Sequence, residues 1–151
     1  MPPIPTPTKE SVVGIVLEVI DLHTHFHMGQ GVVRAVNGVS FSLQANKTLG
    51  IVGESGCGKS VTARSIMRIL GPNGRIESGK ILFHKNAQRV VDLALVDQKG
   101  EEIRDIRCRF VSMVFQEPMS TFSPVYTVGN QICEVIQLHQ GVGKSEARRI
   151  A

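Results

Sequence analysis

At 151 residues the chain is about the length of one ordinary domain. Its 42% hydrophobic and 20% charged residues are a globular composition and exclude an intrinsically disordered protein. A net charge of +4, with one tyrosine and no tryptophan, leaves no basic–aromatic cluster of the kind that grips nucleic acid, so that class of partner is set aside.

In chain order, MPPIPTPTKE has no basic region followed by an apolar stretch and is not a secretory signal. Its prolines predict a disordered lead-in over residues 1–11, with a folded domain over 12–151. The longest apolar run, SVVGIVLEVI, is too short to span a bilayer and contains Glu18. IVLEVIDLHTHF is rich in β-branched residues and predicts a strand, and GVVRAVNGVSFSL a second, with Asn37-Gly38 as a hairpin turn or bulge. TLGIVG is a short, wholly apolar run of the kind found in buried parallel strands. A helix is expected from Gly58, with Ala63, Ile66, Met67 and Leu70 on its apolar face and GPNG as its stop. GKILFH and VVDLALV predict strands of an antiparallel side sheet, EEIRDIR a short helix, and FVSMVF another buried strand. TVGNQICEVIQLH reads as an amphipathic helix with Val128, Ile132, Val135 and Ile136 on one face. KSEARRIA begins a last helix with Ser145 as its N-cap. A helix cut within its second turn suggests a fragment. Cys57, Cys108 and Cys133 show no CxxC spacing and read as free thiols of a reducing compartment.

The segment GESGCGKS satisfies GxxxxGK[ST] through Gly53, Gly58, Lys59 and Ser60. Glycines let the backbone turn tightly, so that successive N–H groups converge as an anion nest. The following helix adds roughly half a positive charge at its N-terminus. Lys59 supplies a point charge for β- and γ-phosphates, and the Ser60 hydroxyl is a hard oxygen ligand for Mg²⁺. A guanine-reading NKxD is missing downstream, because Asn46-Lys47 precedes the loop and runs into Thr48-Leu49. That sets a GTPase aside and leaves a P-loop ATPase or a small kinase.

With GIVGESGCGKSVTA flanked by VVRAVNGVSFSL and SMVFQEPMSTFSPVYTVGNQI, the chain resembles the ATP-binding subunit of an ABC transporter over about residues 15–151. It is most similar to the oligopeptide, dipeptide and nickel-peptide importers. The resemblance implies an α/β P-loop NTPase fold of the ABC ATPase type with an antiparallel β side element, truncated before the signature motif and the Walker B strand. It implies ATP and Mg²⁺ as cofactors, bound by Gly53, Glu54, Ser55, Gly56, Cys57, Gly58, Lys59 and Ser60, with Gln116 as the Q-loop contact to Mg²⁺ and the attacking water. Phe26 falls where the family stacks an aromatic on adenine; a core phenylalanine is the equal alternative. Met119, Phe122, Pro124 and Tyr126 would form the patch that docks transmembrane permease subunits. A second ATP-binding subunit would complete a head-to-tail dimer, a solute-binding protein would act indirectly, and the protein would sit peripherally on the cytoplasmic face of the plasma membrane. The intact protein would hydrolyse ATP to drive peptide import, whereas residues 1–151 would bind ATP at best. The alternative is a soluble ABC-type ATPase or P-loop kinase with no membrane partner. Asn46-Lys47 departs from the family's Gly-Glu, but asparagine tolerates the left-handed turn required there.

Two stretches invite other readings. LALVDQ imitates a Walker B strand, but Gln98 follows Asp97 where a catalytic carboxylate belongs, so it reads as a side-sheet strand. HTHFH places His23, His25 and His27 on one strand face by period two. A flat strand converges poorly on a metal ion, so a polar sheet face is the expected reading.

Overall fold

A computed structural model describes residues 14–86, 88–116 and 122–151. The lead-in and Met119 lie outside the described residues. The chain divides into two compact units between Ser112 and Met113.

The larger unit is built on a four-stranded antiparallel sheet. Its elements are β1 (Ile15–Met28), β2 (Gly31–Gln44), helix α1 (Lys59–Ile66), β3 (Gly74–Asn86), β4 (Arg89–Asp92) and helix α2 (Glu101–Arg109). The strand order is β2-β1-β3-β4. This is the antiparallel side element that the strand patterns predict, with the hairpin turn at Gly29-Gln30 and not at Asn37-Gly38. Gly38 instead takes φ 78° at a register shift, where Leu22 pairs with Val39 and His23 with Asn37. It is therefore a bulge, stabilised by the freedom of glycine at positive φ.

The core lies on one face of this sheet. Leu22, Ile81, Leu93, Ile103 and Ile106 are essentially removed from water, and burying each such side chain contributes about 1.5–3 kcal/mol. Helix α2 closes this core with Ile103 and Ile106, while Phe110 meets Phe83 edge-on at 5.9 Å between ring centroids. A buried polar joint ties α1 to the sheet. Thr24 Oγ1 donates to Ser65 Oγ at 2.9 Å, and Ser65 in turn donates to the Val61 carbonyl at 2.8 Å. The fully buried residues of α1 are thus Thr62 and Ser65; of the predicted apolar face, Ile66 packs against the core and Leu70, past the helix end, is buried, while Ala63 and Met67 are half-buried. The helix also stops at Ile66, because Arg68 turns left-handed at φ 54°. Arg107 receives the freed helix end, its guanidinium donating to the carbonyls of Met67 at 2.8 Å and Arg68 at 2.6 Å. Burial holds both the Arg68 and the Arg107 guanidinium below the usual arginine range.

Three predicted strands are corrected. TLGIVG forms no ladder, and Val52 is 93% exposed. A strand exists only through a hydrogen-bonded neighbour, and among the described residues none lies beside this run. FVSMVF likewise has no ladder over 111–115. VVDLALV is a strand only to Asp92, whose carboxylate accepts from the N–H groups of Ile81 and Ala94 and bends the chain into a turn over Leu93–Leu95. LALVDQ is therefore neither a Walker B strand nor a side-sheet strand.

The smaller unit contains α3 (Val128–Gln140) and α4 (Lys144–Ile150), which pack on each other and bury Cys133 and Ala147. Thr127 caps α3 by accepting from the Asn130 N–H. Of the predicted apolar face, Val128, Ile132 and Val135 are exposed. Gly143 and not Ser145 is the N-cap of α4, since the helix starts at Lys144 and Ser145 lies within its first turn. No helix among the described residues is long and apolar enough to cross a membrane.

Candidate functional site

The glycine loop, residues 53–60, joins the unpaired run TLGIV to α1. Gly56 and Gly58 take φ 83° and 98°, conformations that side chains rarely adopt. Gly58 is constrained twice, because a Cβ there would run into the carbonyl oxygen of Ala35 on β2. The loop is thereby pressed against the sheet. Gly58 also accepts from the Thr62 backbone N–H at 2.8 Å and the Thr62 hydroxyl at 3.0 Å. Upstream, Asn46 takes φ 59°, the left-handed turn expected where the related pattern has glycine.

Lys59 folds back over the loop. Its ammonium donates to the carbonyls of Gly53 at 2.7 Å and Glu54 at 2.6 Å, and Cys57 Sγ lies at 3.5 Å. An ammonium has three donors; the two carbonyls take two, and the third lies toward the Cys57 sulfur, a weak acceptor that an incoming oxyanion can displace. The N-cap Gly58 has no side chain to satisfy the first N–H groups of α1. Those donors and the positive end of α1 belong to the same short loop that carries the Lys59 charge. The Ser60 hydroxyl is exposed in the first turn, with no hydrogen-bond partner among the described residues. This donor set fits a polyphosphate, with Ser60 available to a hard cation beside it. Glu54 and Ser55 are exposed members of the same loop, as is the Cys57 thiol.

Beside the loop lies an open, mainly apolar cavity of about 420 Å³, bordered by Val39, Phe41, Leu49, Ile51 and Lys59. Phe26 is not among its lining residues. Its half-buried ring rests on Gly74, where a Cβ would crowd Phe26 Cε1 and Leu70 Cβ. The eight loop residues are contiguous at the start of α1, and the Phe26 ring packs beside Gly74 outside the lining of this cavity.

Gln116 lies in the smaller unit and is exposed. Phe122, Pro124 and Tyr126 are also exposed there, Tyr126 by 63%. Gln131 organises this stretch, its amide donating to the Ser123 and Tyr126 carbonyls and its Oε1 accepting from the Ser123 N–H. Sequence reading missed two supports of the loop region, the Thr24–Ser65 joint and the Arg107 cap. Both connect residues some forty positions apart, and no local pattern signals them.

On the sheet, His23 contacts Asp21 and Asn37, both at 3.1 Å, and His27 contacts Glu77 at 2.6 Å. Among the described residues no group of three or more His, Cys, Asp or Glu side chains could hold a metal ion.

The probable peptide ABC transporter ATP-binding protein y4tR of Sinorhizobium fredii is 42% identical over 134 residues, 88% of this chain and 38% of that protein. The glutathione import ATP-binding protein GsiA of Escherichia coli is 44% identical over 135 residues, 89% of this chain and 21% of that protein. The chain thus spans well under half the length of these relatives. Among solved structures, the ATP-binding cassette MJ0796, a dimer bound to ADP and Pi in a post-hydrolysis state, superposes with a TM-score of 0.70. The match covers 88% of this chain and 53% of that one at 18% identity, which establishes the ABC ATPase fold. The ABC transporter family profile matches residues 36–150, and the chain belongs to that family.

Proposed function

We propose that this chain supplies the phosphate-holding part of an ATP-binding subunit that couples ATP hydrolysis to the import of peptides or small peptide-like solutes. The observation that supports this reading is the glycine loop, which holds left-handed glycines, an uncapped helix start and the Lys59 ammonium within residues 53–60. The similarity to y4tR and GsiA supports the class of transported solute.

In this reading the N–H groups of residues 55–60 orient the phosphates, and the Lys59 ammonium, giving up its weak contact to the Cys57 sulfur, meets the terminal ones. Ser60 Oγ offers a hard ligand to Mg²⁺, which would screen the phosphate charge when bound, and Gln116 takes the Q-loop role that the family resemblance implies. Gln116 also orients the attacking water, for which a neutral amide offers both donor and acceptor. Phe122, Pro124 and Tyr126, with Met119, form the patch that meets permease subunits on the cytoplasmic face of the membrane. Their exposure favours docking over packing within their own unit. A second ATP-binding subunit faces the loop in a head-to-tail dimer.

The test is ATP hydrolysis by the whole protein in membranes with its permease. Stimulation by transported peptide, lost in Lys59→Ala and in Tyr126→Glu, is expected. Hydrolysis indifferent to the permease would assign the soluble ATPase reading instead.

A further inference from the structure

We propose that the solvent face of the antiparallel sheet carries a second anion site, separate from the glycine loop, in which Arg34, His25 and Arg75 hold a phosphate-type oxyanion. His25, in the second half of β1, pairs with Arg75 on β3 and, across a bulge that skips Ala35, with Arg34 on β2. Residues directly opposite in antiparallel strands point to the same face, with Cβ atoms about 4.5–5.5 Å apart. Three basic side chains therefore stand in one row across three strands. The other face at this level is core, since the preceding pair, Thr24 and Val36, is buried.

Arg34 and Arg75 flank His25 from the two neighbouring strands and place two like charges in one row. Both arginines are exposed, and neither has an ion pair among the described residues. The flanking histidines are committed, His23 to Asp21 and His27 to Glu77. His25 is not. Its Nε2 is shielded from water and has no hydrogen-bond partner among the described residues. Glu77 is the carboxylate that faces this row from β3. The hydrogen bond from His27 chiefly holds it below the ordinary carboxylate range, with His27, His25 and Arg75 adding their charges.

Both nearby carboxylates, Asp21 and Glu77, are engaged by the flanking histidines, which leaves the two guanidiniums without an anionic partner among the described residues. A tetrahedral oxyanion meets that shortage. Guanidinium forks match pairs of its oxygens, and an imidazole N–H adds a donor between them. Arginine stems are long enough to fold over the central ring. The shared chemistry is a phosphate group, supplied either as a free phosphate or by an acidic lipid headgroup.

The experiment follows the ring protons of the chain's five histidines by NMR while inorganic phosphate is added at constant ionic strength. The His25 signal is expected to move saturably and that of His139 on α3 to stay. Arg34→Gln/Arg75→Gln should weaken the response at least about tenfold. In phosphate-free buffer the same variant should keep or raise the Tm, because it removes like-charge repulsion. Should that variant fail to fold, Arg34→Lys/Arg75→Lys retains the charge without the fork and should show an intermediate loss. Sedimentation with phosphatidylcholine vesicles containing phosphatidic acid, against phosphatidylcholine alone, separates the two sources. Arginine-dependent sedimentation assigns the lipid headgroup, and a phosphate response without it assigns free phosphate. A His25 signal unmoved by phosphate together with no sedimentation, or a response that survives loss of both arginines, overturns the proposal.

Discussion

The first half of β1 and the run Thr48–Gly53 are both rich in branched apolar residues, yet Val19 and Leu22 are 1% and 0% exposed while Ile51 and Val52 are 49% and 93% exposed. The difference lies in where their partners come from. β1 pairs with β2 across a two-residue turn and with β3 after α1, and α2 covers the same core. The Thr48–Gly53 run has no neighbouring strand among the described residues, so its apolar side chains border an open cavity. Hydrophobicity alone makes neither strand nor core. A hydrogen-bonded neighbour and a covering layer do. The loop that follows this run is nevertheless well formed, because it is braced by β2 through Gly58 and by its own Lys59.

Core truncation should separate the two regions most sharply. Leu22→Ala is expected to cost about 2–5 kcal/mol in urea unfolding, through lost burial and a residual cavity. Val52→Ala, at an exposed position, should stay within about 0.5 kcal/mol. Equal effects would mean that the two regions do not differ in packing as described.

Gly58→Ala comes next. Strain at φ 98° and the clash with the Ala35 carbonyl should cost about 1–3 kcal/mol and abolish nucleotide binding. Gly50→Ala, where a Cβ meets nothing, is the matched control in the unpaired run and should leave stability nearly unchanged.

The smallest effect belongs to the surface of the packed region. Asp105 bonds Lys85 at 2.6 Å and Arg109 at 2.9 Å, and the Lys85 bond chiefly holds its carboxyl below the usual range. A lowered folded value means that its stabilisation is present above the unfolded aspartate pKa of about 3.9 and is lost as pH falls through the lower folded value. With the pair partly exposed, Asp105→Asn should cost about 0.5 kcal/mol at pH 7. That difference should fade as the pH is taken below about 4, as followed by thermal melts across pH.

What could be read from the sequence was short in range. Glycines at 56 and 58, asparagine at 46 and the Asn37-Gly38 pair each announce a local backbone need, and each occupies the conformation expected of it or, at Gly38, one of the two expected. The β1–β2 and β3–β4 pairs were legible because their strands follow one another in the chain, whereas the β1–β3 pairing spans β2 and α1. TLGIVG and FVSMVF misled because an apolar run carries no information about whether a partner strand is present. The buried face of α1 was hidden for another reason. Thr62 and Ser65 are polar, and their hydroxyls are satisfied only by the Gly58 and Val61 carbonyls and by Thr24 across the core. The reach of Arg107 to the end of α1 is a tertiary contact with no signature in either segment.

The account centres on a glycine loop that is formed and competent to hold a nucleoside triphosphate although the run leading into it is unpaired. Calorimetric titration of the purified chain with Mg-ATP, beside Lys59→Ala, tests this most directly. Saturable binding by the wild-type chain that is lost in the variant is the predicted result. Binding that is unchanged in Lys59→Ala, or absent from a wild-type chain that melts cooperatively, would contradict it.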